Sequence, residues 1–208
     1  MKKTLLTVFT ASAVMFMACG EAETESTENE SNEAPEVVEE DSAAVETVDV
    51  ALPEGWEQTS NEDILTLAII DSVGNDMSEF AGKFGAAAGE IMGYIMENGY
   101  EMAGAPMSHW LSWDTTAYSV FEVNAQVSGE VVGNDRIQVV TIPAGNALKF
   151  NHYGAYEDMG PAHMSINEYF AATGKDAIGG PWEVYMTDPG EEPDTTQWLT
   201  EIWYPIGE

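Results

Sequence analysis

Glu183 lies in the stretch "GGPWEVYMTDP", residues 179 to 189, between Trp182 and Tyr185 and just after a Gly-Gly-Pro turn. Such an acid is either a solvated strand residue or a device for holding something positive. Regular alternation along the strand would turn Glu183 and Tyr185 one way and Trp182 and Val184 the other. The acid then stands beside a phenol. An unpaired buried carboxylate costs several kcal/mol on the order-of-magnitude scale for buried ions. A cationic aromatic guest offsets that cost with an ion pair and with ring contacts of roughly 0.5 to 2 kcal/mol each. The same residue could instead serve as a general base on water.

Other chemistry finds less support. His109, His152 and His163 are the three histidines, and their spacing matches no metal-ligand pattern. No G-x-S-x-G elbow or phosphate-cradling glycine loop is present, and no metal or cofactor is expected. The glycines of "GKFGAAAG" fall within a helical pattern, where Gly85 and Gly89 are expected to allow close packing.

The elements that must position Glu183 occur twice. "TLAIIDSVGNDMSEFAGKFGAAAGEIMGYIMENGYEMAGAPMSHWLSWD" and "ALKFNHYGAYEDMGPAHMSINEYFAATGKDAIGGPWEVYMTDP" each give a strand, a helix, a Gly-x-Pro loop and a second strand. A third strand follows each, "YSVFEVNAQV" and "WLTEIWYPI". Phe80, Phe84, Ala87, Ala88, Ile91 and Ile95 recur at helical spacing, with Asp76 and Glu79 near the start and Gly99 past the last turn. Met164, Ile166, Tyr169 and Phe170 predict a shorter second helix, after Asp158 to Pro161. The expected fold is α+β: a duplicated strand-helix-strand-strand module with pseudo-twofold symmetry, a mainly antiparallel sheet, two main helices and a central groove. Repeats at about 62–128 and 136–206 make up a domain at 56–208.

Across the repeats, Ser108 is the counterpart of Glu183, and Trp110 of Tyr185. Glu122 and Glu201 are likewise equivalent, as strand residues or as pocket acids, and Trp203 shares a face with Glu201. Tyr153 and Tyr156 flank the turn before the second helix and reach either into a groove or onto the helix. The candidate ligand-binding set is Glu183, Tyr185, Tyr156, Tyr153, Trp110, Glu201 and Trp203.

The N-terminal quarter of the 208 residues reads differently. Lys2, Lys3 and the apolar run "LLTVFTASAVMFMA" form an expected signal peptide over residues 1–19, and Cys19 after Ala18 is a candidate lipidation site. It is the sole cysteine, so lipidation leaves the folded domain without a thiol. From Glu21 to Glu54 there are thirteen acidic and no basic residues, an expected solvated tether over 20–55. These features point to the bacterial cell envelope, with the membrane engaged through an N-terminal lipid and the domain facing the periplasm or the exterior. Gly55 to Glu208 carries 24 acidic groups against Lys83, Arg136, Lys149 and Lys175. That balance repels phosphate backbones, so nucleic acid is not an expected partner.

"TIPAGNALKFNHYGAYEDM" and "GGPWEVYMTDPGEEPDTTQWLTEIWYPI" resemble the GyrI-like family, also known as the effector-binding domain of AraC-type and MerR-type regulators. Pro143, Ala144, Gly145, His152, Gly154, Tyr156, Pro181, Glu183, Tyr185, Asp188, Pro189, Thr200, Glu201, Ile202 and Pro205 carry the likeness. It spans about residues 60 to 206 and is looser in the first copy, where Gln126 stands at a usual Pro. The resemblance implies a duplicated fold whose cleft takes small, often cationic and aromatic molecules over a buried Glu. Some members of the family hydrolyse strained cyclopropane compounds, which implies a second reading with Glu183 as general base. Regulators of the family carry a DNA-binding module where this chain has the expected signal and tether, which argues against transcriptional regulation.

Overall fold

Alternating apolar side chains build nine strands, and two amphipathic runs build helices on one side of them. The computed structural model describes residues 50–114 and 116–207. The expected signal peptide, Cys19 and residues 20–49 of the expected tether lie outside the described residues. In chain order the elements are β1 (Trp56–Asn61), β2 (Ile64–Gly74), α1 (Phe80–Asn98), β3 (Glu101–Met102), β4 (Met107–Ser112), β5 (Tyr118–Ser128), β6 (Gln138–Ile142), β7 (Gly145–Tyr153), α2 (Gly160–Thr173), β8 (Trp182–Tyr185) and β9 (Leu199–Ile206). One antiparallel sheet runs β1-β7-β9-β8-β4-β5-β2-β6, with β3 beside β5.

The duplication is visible in the register. β4 and β8 meet at the centre with Ser108 opposite Glu183, the two residues that the repeats equate. Reciprocal backbone bonds flank that pair: Trp110 N donates to the Pro181 carbonyl at 2.9 Å and Tyr185 N to the Pro106 carbonyl at 3.0 Å. The two Gly-x-Pro loops thus lock each half to the other's central strand.

Two strands are not among those read from the repeats: β1 precedes the first repeat, and β6 falls within the bounds of the second without having been predicted as a strand. β1 leads into β2 yet pairs with β7, and β6 leads into β7 yet pairs with β2, so each half lends a strand to the other. The two crossing linkers are tied together, with Asn61 Nδ2 donating to the Pro143 carbonyl at 2.8 Å and Ala144 N to Asp63 Oδ1 at 2.7 Å. Ile64 and Ile142 at these linkers pack with Met107, Ala147, Trp182 and Val184 on the face of the sheet away from the helices.

Both helices cover the other face. α1 buries Ala87, Ile91 and Ile95 against Leu67, Ile69, Phe121 and Val123 of β2 and β5. α2 buries Ala162, Ile166, Tyr169 and Phe170 against Leu148, Ile202 and Tyr204 of β7 and β9, with Trp56 of β1. Val50 and Leu52, inside the stretch expected to be tether, also pack against this second cluster. Gly99 ends α1 and Gly174 ends α2 in the left-handed conformation, at φ 68° and 67°. Pro161 sits in the first turn of α2.

Two helix details depart from expectation. Met164 is exposed, so the buried stripe of α2 runs through Met159, Ala162, Ile166 and Phe170. Gly85 and Gly89 do not serve close packing, because a Cβ at either would meet no atom within 4 Å. They only cost backbone entropy in an exposed helix interior. Gly85→Ala and Gly89→Ala are each expected to stabilise the fold by about 0.5 to 1 kcal/mol, read as a higher urea midpoint at unchanged slope.

Candidate ligand-binding site

The central strands β4 and β8 lie between the territories of the two helices, where the groove is expected. Because Ser108, Trp110, Glu183 and Tyr185 alternate onto the helix face, their side chains meet there. Glu183 is 4% exposed, and four donors converge on it. Tyr185 Oη donates to Oε2 at 2.7 Å and Ser108 Oγ at 3.2 Å. Trp110 Nε1 donates to Oε1 at 3.2 Å, and His163 Nε2 stands 3.2 Å from the same oxygen. Behind it, His163 Nδ1 lies 2.9 Å from the Tyr204 hydroxyl.

Burial alone would push the Glu183 carboxyl up; the hydrogen bond and charge of His163, with the bonds from Tyr185 and Trp110, outweigh it and hold the group below its ordinary value. The carboxylate is therefore ionised at neutral pH. Tyr185 is pushed well above the usual phenol value, first by burial and then by the charge of Glu183. Tyr204 is raised in the same way, first by burial and then by Glu183, and Tyr156 by burial and then by Asp188.

Those three phenols make stability sensitive to alkali. A folded-state pKa above the ordinary 10.0 favours the native state fully below pH 10, and that contribution is lost as pH climbs past 10 toward the raised values. Urea unfolding is expected to show constant stability from pH 8 to about pH 9.5 and a decline above pH 10. A flat profile to pH 11 would contradict this.

Above these side chains runs an aromatic row. Trp113 meets Trp110 edge-on at 4.9 Å, Trp110 stacks with Phe80 at 5.1 Å, and Phe80 reaches Phe84 at 5.9 Å. Phe84 and Tyr156 each stand T-shaped to Tyr185, at 4.9 Å and 5.2 Å, and Tyr156 continues to Trp198 at 4.8 Å. Phe84 packs against both core clusters and so spans the gap between the helices. Phe80, Phe84, Tyr156 and Trp198 are half-buried and Trp113 is exposed, so the row reaches solvent while the carboxylate beneath does not.

Of the residues expected from sequence, Glu183, Tyr185, Trp110 and Tyr156 come together here. Glu201 and Trp203 do not. Ile202 is opposite Glu183, so Glu201 and Trp203 point to the far face, where Lys149 Nζ lies 3.3 Å from Glu201 Oε1 and 5.3 Å from the Trp203 ring centre. Glu122 shares that far face, buried and 3.0 Å from His109 Nδ1. Tyr153 is 64% exposed at the end of β7 and touches none of the Glu183 cluster. His163, Tyr204, Phe80, Phe84 and Trp198 were missed as site residues. His163 carried a signal, since it is three and seven residues before Ile166 and Phe170 on the buried stripe. Thr200 Oγ1, opposite Tyr185 on the same face, is buried with no hydrogen-bond partner among the described residues.

The comparisons with known proteins agree with this architecture. Residues 82–206, more than half of the chain, match the family described as GyrI-like small molecule binding domain. The chain belongs to the GyrI-like family. Among solved structures, the C-terminal domain of EcmrR superposes with a TM-score of 0.62 at 16% identity, over 74% of this chain and 97% of that one. In the EcmrR–DNA complex the TM-score is 0.63 at 17% identity, and 74% of this chain covers 57% of that one. SAV2435 bound to tetraphenylphosphonium gives 0.54 at 15% identity, over 73% and 93%. A hydrolase encoded by lin2189 from Listeria innocua gives 0.51 at 13% identity, over 76% and 94%. At such identities the likeness is one of fold. The comparison with curated protein sequences yields no match. As a GyrI-like domain, the chain has a small-molecule-binding fold, and the buried acid stands at the centre of its duplicated sheet.

Proposed function

We propose that this GyrI-like domain binds cationic aromatic organic molecules in the groove between α1 and α2, with Glu183 as the counter-charge and the aromatic row as walls. The observation that carries the reading is a buried carboxylate, held by Tyr185, Ser108, Trp110 and His163, beneath a line of rings that reaches solvent. A cation over ring faces gains roughly 0.5 to 2 kcal/mol per contact. Pairing with a desolvated carboxylate adds selectivity for charge. SAV2435, a member of the same structural group, holds tetraphenylphosphonium, a compound of this class.

Calorimetry with tetraphenylphosphonium and with uncharged triphenylphosphine oxide tests the reading. The phosphonium should bind at least tenfold more tightly; equal affinities would remove the role of charge. The alternative, Glu183 as general base of a hydrolase, sits less well with a carboxyl held below its ordinary pKa and tied to four partners, since base strength falls with pKa.

We further infer that the domain works in the cell envelope, attached through lipidated Cys19. The reading rests on the order of Lys2, Lys3, the apolar run and Cys19, followed by the acidic stretch. Cys19→Ser should shift the full chain from the detergent phase to the aqueous phase; unchanged partition would refute lipid attachment.

A further inference from the structure

One partner of Glu183 has a side chain that can carry a positive charge of its own. His163 Nε2 stands 3.2 Å from Glu183 Oε1, and the other three partners of the carboxylate, Ser108, Trp110 and Tyr185, are neutral side chains fixed on β4 and β8. His163 alone comes from a helix, and its side chain is 24% exposed where that of Glu183 is 5% exposed. It is the partner that solvent can reach and the one that can turn away without breaking the sheet.

We propose that His163 is the specificity-determining residue of the groove: its imidazolium is an internal cation that a positively charged guest displaces, so that each cation bound expels one proton. The proposal rests on the cation-binding reading above. The balance is simple. Protonated His163 and ionised Glu183 together are neutral; the guest restores neutrality against Glu183 only if the His163 proton leaves to buffer. A guest without charge meets no such exchange and leaves the pair intact.

The surroundings suit the exchange. The Tyr204 hydroxyl, 2.9 Å from Nδ1, accepts from the charged ring and donates to the neutral one, so loss of the proton leaves no stranded nitrogen on that side. Tyr204 and Tyr185 stay protonated because their pKa values are raised, and so does Tyr156 above Tyr185. From β4, Ser108 and Trp110 do not titrate in this range. On α1, Lys83 is turned to Asp71 at 3.6 Å, Glu79 at 3.5 Å and the Ser72 carbonyl at 2.7 Å. On β7, His152 is bonded to the Ala155 carbonyl at 3.0 Å. His163 is thus the one imidazole against Glu183, and imidazoles as a class change charge between roughly pH 5 and 8.

The experiment is calorimetry on the full chain with tetraphenylphosphonium, a permanent cation with no proton of its own, in buffers of different ionisation enthalpy across that pH range. Expected are one proton released per phosphonium at the acidic end, none at the alkaline end, and a tenfold gain in affinity per pH unit while His163 is charged. Triphenylphosphine oxide should release none. His163→Gln should abolish proton release, flatten the pH profile and bind the phosphonium at least tenfold more tightly than the unaltered protein at the acidic end. His163→Ala should do the same, which separates loss of the charge from anything particular to glutamine. Phosphonium binding that weakens in Glu183→Gln but releases no proton overturns this proposal and leaves the cation site standing. Affinity indifferent to Glu183→Gln overturns both.

Discussion

Glu183→Gln is expected to weaken binding of tetraphenylphosphonium by about 30- to 100-fold, roughly 2 to 3 kcal/mol, while leaving a neutral aromatic guest within about twofold. The substitution keeps the size of the side chain and removes its charge with little change of shape; its single oxygen serves either Tyr185 and Ser108 on the Oε2 side or Trp110 and His163 on the Oε1 side. Glu183→Ala would be a poorer test. It leaves the Trp110 indole, the Ser108 and Tyr185 hydroxyls and His163 without their common acceptor, each at a cost of about 1 to 3 kcal/mol if it stays buried and unpaired. Equal losses for charged and neutral guests in Glu183→Gln would mean that the carboxylate shapes the groove and does not select for charge.

Gly180→Ala should be the most damaging single methyl in the domain. An added Cβ would lie 1.5 Å from the Trp110 carbonyl oxygen and 2.7 Å from its carbon, both backbone atoms that cannot rotate away. The turn holding Gly180 also supplies the Pro181 carbonyl that receives the Trp110 N–H. Pushing the two chains apart therefore breaks the reciprocal bond and moves the indole off Glu183. A destabilisation of about 3 kcal/mol is expected, at the upper end for overpacking, together with at least a tenfold loss of phosphonium affinity. The equivalent residue of the first half is Ala105, where the repeat tolerates a methyl, so the constraint belongs to one half only. Chemical denaturation of Gly180→Ala measures it, and a change under about 0.5 kcal/mol, as at an ordinary surface position, would show that the approach is looser than described.

Much of this was legible in the chain because duplication repeats its own signals. Gly104-Ala105-Pro106 and Gly179-Gly180-Pro181 precede equivalent strands, and the alternation in "WEVY" and "MSHW" puts Glu183 with Tyr185 and Ser108 with Trp110. Register between strands was not legible. Whether Glu201 or Ile202 stands opposite Glu183 decides which face Glu201 uses, and a shift of one residue reverses the answer. The exchange of β1 and β6 between halves was hidden for a related reason: pairing partners 70 to 94 residues apart, such as Ala68 and Gln138 or Trp56 and Phe150, leave no local pattern. His163 was set aside as a site residue because the spacing of the three histidines fits no metal-ligand pattern, and Met164 was given a place on the buried stripe of α2. Hydrophobicity favoured the methionine, whereas the helix turns Ala162, Ile166 and Phe170 to the core and brings His163 to the buried carboxylate. A polar residue on a helix's inner face is a sign of a partner on the opposite element, and here that partner is the site itself.

A structure of the domain with tetraphenylphosphonium bound would show where the charge of the guest comes to rest. The phosphonium is expected between α1 and α2, its rings against Phe80, Phe84 and Tyr156 and its charge facing Glu183, with the His163 imidazole turned from the carboxylate. A phosphonium seated elsewhere, with the Glu183–His163 pair undisturbed, would contradict it.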